Sequence, residues 1–79
     1  MPDLPGMDIK SKVGQRIKSL RKELELSQEA LALKAEVDRT YVTDVENGRR
    51  NVSLEILERL IKALEVSFTE FFNTKEFKK

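Results

Sequence analysis

The chain has 79 residues, 37% of them charged, and a formal net charge of +1; this allows one domain, and a domain of this size buries only roughly three-fifths of the surface its unfolded chain exposes. It contains neither cysteine nor histidine, which excludes a disulfide framework and thiolate metal sites and removes the commonest zinc ligand and general base. No grouping of carboxylates, lysines, hydroxyls or the lone tyrosine suggests a catalytic site, so neither an enzyme nor a cofactor is expected.

No apolar run approaches the roughly 20 residues of a membrane span. The start, Met1-Pro2-Asp3-Leu4-Pro5-Gly6-Met7, lacks the basic-then-apolar layout of a signal peptide. Residues 1–7 read as a flexible tail, with Met7 an alternative start. A cytoplasmic setting, bacterial or phage, is expected. Charge is unevenly spread. Between Asp8 and Leu24 stand six basic residues (Lys10, Lys12, Arg16, Lys18, Arg21, Lys22) against two acids (Asp8, Glu23), and Arg39, Arg49 and Arg50 form a second basic group. A solvated surface explains this as well as a polyanion does.

Five helices and no strands are expected. The first spans about Asp8 to Glu25, because Ile9, Val13, Ile17, Leu20 and Leu24 recur every three or four residues and fall in one stripe. Arg16, Lys18 and Lys22 then point into water or towards a polyanion. Ser27 is a good N-cap for a second helix from Gln28 to about Ala35, whose Leu31, Ala32 and Ala35 let another helix approach closely. Asp38 caps a third helix from Arg39 to about Glu46, and Asn47-Gly48 supplies a left-handed stop. On that helix Tyr41, Val42 and Val45 share one side; Arg39, Thr40, Thr43, Asp44 and Asn47 share the other. A helix this short is not stable alone, so it must pack on its neighbours and leave the polar side outward.

Ser53 caps a fourth helix, Leu54 to Leu64. Its Leu54, Ile56, Leu57, Leu60, Ile61 and Leu64 cover nearly half the circumference, more than a one-sided stripe, which suits a central helix or one that also meets a second subunit. Ser67-Phe68-Thr69-Glu70 fits a capping box and opens a short fifth helix carrying Phe68, Phe71 and Phe72. The domain is expected to end near residue 73, with 74–79 a flexible Lys-rich tail that includes Phe77. The expected dimer interface is Ile61, Leu64, Val66, Phe68, Phe71 and Phe72, since an exposed aromatic patch marks an interface.

The second and third helices are joined only by about Glu36-Val37-Asp38, which is helix-turn-helix geometry. The stretch from Val13 to Phe72 resembles the Cro and phage-repressor (Xre-type) DNA-binding domains. Its markers are Arg21, Leu26-Ser27-Gln28-Glu29, Leu31-Ala32, Val42, Val45-Glu46-Asn47-Gly48 and Ala63-Leu64-Glu65-Val66-Ser67. Within that family, Asp38-Arg39-Thr40-Tyr41-Val42, Glu46, and Arg50-Asn51 before Ser53-Leu54 are most similar to the controller proteins of restriction–modification systems. The resemblance implies an all-α, compact five-helix bundle of the lambda-repressor-like type. It also implies a homodimer on paired half-sites of a double-stranded DNA operator, whose low levels activate its own and the endonuclease gene and whose higher levels repress. No small-molecule ligand and no membrane partner are implied. RNA polymerase is a further candidate partner, with Glu29 and Glu36 as unranked contacts. The turn position Glu36 departs from the family, which often has glycine there; either the turn avoids positive φ or the protein tolerates the strain.

The resemblance also distributes roles. Gln28, at the start of the second helix, sits where the family grips a phosphate; an ordinary surface glutamine is the alternative. Arg39, heading the third helix, is the first candidate for reading sequence, since arginine donates two parallel bonds to guanine O6 and N7. A phosphate contact, or an ion pair with Asp44 or Glu36, is the alternative. Thr40 and Thr43 suit a base edge or a thymine methyl. Asp44 either orients Arg39, accepts from a cytosine amine, or excludes wrong sites. Tyr41 reaches a phosphate or packs in the core. Asn47, Arg49, Arg50, Asn51 and Ser53 match backbone-contacting positions, Arg50 with the minor groove as an alternative. Arg21 and Glu46 occupy positions that in some relatives form a largely buried ion pair, and that pair is expected here. Competing readings are a phage-type repressor, an antitoxin that represses its own operon, and a protein-interaction module of the same fold without DNA readout.

Overall fold

A computed structural model describes residues 8–78; the tail expected at 1–7 and the final Lys79 lie outside the described residues. The helices are α1 (Ile9–Glu23), α2 (Gln28–Ala35), α3 (Arg39–Glu46), α4 (Leu54–Ala63) and α5 (Phe68–Phe72), followed by a 3₁₀ turn over Lys75–Phe77. Among the described residues there is no strand.

Side-chain caps start four of these helices. Asp8, Ser27, Ser53 and Ser67 accept from the backbone amides of Ser11, Ala30, Ile56 and Glu70, satisfying donors a helix start leaves free. Asp38 does not: it has extended backbone, but its side chain makes no capping bond. The ends use left-handed residues. Glu25, Glu36, Gly48 and Glu65 all have positive φ. After α2 the Glu36 amide donates to the Leu33 carbonyl and the Val37 amide to that of Ala32, the paired bonds of a Schellman stop. The turn therefore tolerates the strain: Glu36 lies at φ 60°, ψ 45°.

The core is assembled from one face of every helix. Val13, Ile17 and Leu20 of α1 meet Leu31, Ala32 and Ala35 of α2, Val42 and Val45 of α3, Leu57, Leu60 and Ile61 of α4, then Leu64, and Phe71 of α5. Three residues expected in apolar stripes stand outside it. Ile9 and Leu54 are the first residues of their helices and are 60% and 83% exposed, and Leu24, past the last turn of α1, is 38% exposed.

Residues 74–78, expected as a tail, pack back instead. Phe77 is half-buried, with its ring edge-on to Phe72 at 4.9 Å, and Phe72 is edge-on to Phe71 at 4.8 Å, arrangements that aromatic quadrupoles favour. Arg16 also departs from expectation. Its Nε and Nη2 donate to the carbonyls of Phe71 and Glu70 at 2.7 and 3.0 Å, so it pins the end of α5 to α1 rather than reaching for a polyanion.

Candidate nucleic-acid interface

Helix α3 is held from two sides. On one, α1 approaches so closely that only glycine fits: a Cβ on Gly14 would lie 2.2 Å from the Val45 carbonyl oxygen. On the other, Arg21 grips Glu46 with two parallel bonds, Nε to Oε2 at 2.7 Å and Nη2 to Oε1 at 3.0 Å. Both residues are buried. The third arm of Arg21, Nη1, donates to the Leu26 carbonyl at 2.7 Å, so the ion pair ties α1, the α1–α2 corner and α3 together.

The network continues outward. Gln28 Nε2 donates to Glu46 Oε1 at 3.0 Å, and Thr43 Oγ1 donates to Gln28 Oε1 at 2.9 Å. The Gln28 side chain is thus turned onto α3 rather than held out for a phosphate. Residues 28 and 43 are fifteen apart, and no local pattern signals their contact.

Val42 and Val45 are fully buried, and Tyr41 is half-buried. On the opposite side Arg39, Thr40 and Asn47 are exposed, and Thr43 and Asp44 are half-buried. Among the described residues Arg39 makes no side-chain hydrogen bond or ion pair, so its guanidinium is available. Asp44 pairs not with Arg39 but with Arg50, at 3.3 Å. Arg50 also lies over the Tyr41 ring, 4.4 Å from its centroid, and the Tyr41 hydroxyl accepts from the Ser53 amide at 3.4 Å. Tyr41 is therefore both packed and directed at the segment after α3. Arg49 and Asn51 are exposed. The Ser53 hydroxyl is occupied capping α4, at 3.1 Å from the Ile56 amide.

The expected interface residues separate into two groups. Ile61, Leu64 and Phe71 are 0–1% exposed within the protomer and are core, because α4 and α5 close over α1 and α2. Val66 and Phe72 are half-buried and Phe68 is 45% exposed. Beside Phe72 lies a mainly apolar groove of about 240 Å³ whose lining includes Ile9, Val13, Val52, Leu54 and Leu57 together with Lys10, Arg50 and Asn51. The shifted acids lie off α3: the Ser11 amide holds the Asp8 carboxyl low, and the Lys34 ammonium does the same for Glu65.

Two helices joined by a short turn, the second with an exposed polar side, are the arrangement of a helix-turn-helix. The helix-turn-helix family model matches residues 17–71. The chain belongs to the Xre-type helix-turn-helix family. It is 46% identical over 67 residues to the control protein C.MunI of a Mycoplasma species, covering 84% of this chain and 90% of that one. The crystal structure of the restriction–modification controller protein C.AhdI from Aeromonas hydrophila superposes with a TM-score of 0.76 at 46% identity, over 80% of this chain and 96% of that one. The controller protein C.Esp1396I, solved as a tetramer in complex with its natural 35-base-pair operator, superposes with a TM-score of 0.82 at 43% identity, over 89% of this chain and 95% of that one. In these helix-turn-helix terms α2 and α3 are the paired helices and α3 is the recognition helix.

Proposed function

We propose that this chain is a sequence-specific transcriptional regulator of double-stranded DNA, the controller protein of a restriction–modification system, acting as a dimer on paired half-sites near its own promoter. The observation that carries the reading is the outward side of α3: an exposed Arg39 at its head, on a helix held by the buried Arg21–Glu46 pair. Preorganisation matters because a mobile recognition helix would lose ordering entropy on every binding event.

Arg39, Thr40, Thr43 and Asp44 face base edges in this reading. Tyr41, Asn47, Arg49, Arg50, Asn51 and the amides at the head of α2 contact the sugar–phosphate backbone, which sets register without carrying sequence information. Asp44, which alone would be repelled by phosphates, is neutralised by Arg50, and this weakens the case for a protein-interaction module without DNA readout. Val66, Phe68 and Phe72 are the surface left to dimerisation, and occupancy by a dimer makes output depend steeply on concentration. The setting is cytoplasmic, and polymerase is a further partner through the outer side of α2, where Glu29 and Glu36 are exposed.

The test is binding to the DNA upstream of its own gene against a scrambled duplex of equal length, over roughly 50–300 mM salt. A preference of about a thousandfold or more with a steep salt slope is expected. Equal, weak binding to both duplexes contradicts the reading.

A further inference from the structure

The hydrogen bonds that run from Arg21 out to Thr43 leave no freedom in which group donates. Arginine has only donors, so Glu46, bonded twice to Arg21 at 2.7 and 3.0 Å, accepts. Its Oε1 also lies 3.0 Å from the Gln28 side-chain amide. A carboxylate paired with arginine has no proton to give, so the glutamine must turn its NH₂ group towards it. The Gln28 amide oxygen then faces Thr43, 2.9 Å away. An amide oxygen only accepts, so the Thr43 hydroxyl must be the donor. The other acceptor within its reach is the Arg39 carbonyl at 3.2 Å, which also belongs to the protein.

We propose that Thr43 is a specificity-determining residue whose polarity is set by this Arg21–Glu46–Gln28 relay. Its proton is committed inward, so towards the major groove it offers an oxygen lone pair. It therefore reads a donor, the exocyclic amine of adenine or cytosine, and makes no bond to the acceptors O6 and N7 of guanine. An unrelayed threonine would swing its proton to suit either edge. Arg39, one helical turn earlier, carries only donors and takes the acceptor edge. The two residues thus present opposite polarity along one face of α3, so a single relay deep in the domain contributes to the base sequence read at its surface. This inference rests on the DNA-binding reading above.

The test is a set of double-mutant cycles on the upstream operator. At each half-site position adenine is replaced by purine and cytosine by 2-pyrimidinone, which lack only the amine; guanine is replaced by 7-deazaguanine and thymine by uracil. Wild type, Thr43→Val and Thr43→Ser are compared. At one position, loss of the amine weakens wild type by about fivefold, the worth of one hydrogen bond. It weakens Thr43→Ser equally and leaves Thr43→Val unchanged. Coupling of residue 43 to 7-deazaguanine, coupling to uracil alone, or no coupling at any position overturns the assignment. If wild type does not distinguish the operator from its scramble, the DNA-binding reading fails first, before any analogue is compared.

Discussion

Gly14 decides how closely α1 can lie against α3. With only 2.2 Å between a built Cβ and the Val45 oxygen, Gly14→Ala must push α3 outward. The expected cost is about 1–3 kcal/mol in thermal or denaturant unfolding, with a parallel loss of operator affinity because the shifted helix is the one that carries Arg39. Glycine within an apolar-periodic helix was the available signal, since that residue weakens a helix unless a close approach requires it. Arg21→Ala and Glu46→Ala each leave a buried charge without its partner, and each is expected to cost about 3–5 kcal/mol of stability; losses under half of that would contradict the burial. The pairing of these two residues was legible through family resemblance, whereas Asp44–Arg50 was not, because it depends on the path of the chain after Gly48. At Glu36 the opposite sign holds. Glycine adopts its φ of 60° without strain, so Glu36→Gly should raise stability by about 0.5–1 kcal/mol, read as an increase in Tm.

Helix starts were readable because serine or aspartate marks them and an apolar period follows; of the left-handed stops only Asn47-Gly48 was marked, since Glu25, Glu36 and Glu65 carry no such signal. What local pattern does not carry is how much of an apolar helix its own fold consumes. Ile61, Leu64 and Phe71 look the same in sequence as Phe68, yet α1 and α2 cover the first three and leave Phe68 45% exposed. Ile61→Ala should therefore cost about 2–5 kcal/mol of folding stability. Phe68→Ala should leave unfolding of the protomer nearly unchanged while shifting the monomer–dimer equilibrium towards monomer in sedimentation equilibrium. Arg16 shows the same limit. Its place among basic residues suggested water or a polyanion, but two carbonyls at the end of α5, more than fifty residues away, take its guanidinium. At the start of α1 the Asp8 carboxylate is stabilised chiefly by the Ser11 amide, which holds its pKa below the ordinary 3.8. A folded pKa below the unfolded one adds stability at neutral pH that is lost as pH falls through the folded value. The Ser11 amide resonance should accordingly titrate with a midpoint below 3.8.

The domain as a whole is a mount for one short helix, held by the close approach at Gly14 and by the Arg21–Glu46 pair. A formal charge of +1 gives little general attraction to a polyanion, so affinity must come from where the charges sit. Arg39, Arg49 and the head of α2 supply it locally, while Asp44 is paired with Arg50 and Glu46 with Arg21 inside the domain. Whether the outer side of α3 reads sequence is decided by selecting bound duplexes from a random library. Wild type should enrich a motif with two-fold symmetry, and Arg39→Ala should lose discrimination at one guanine per half-site, by about 1–3 kcal/mol, while keeping its non-specific affinity. A library that emerges without enrichment, or an Arg39→Ala protein that selects the same motif with the same stringency, would mean that the outer side of α3 does not read sequence.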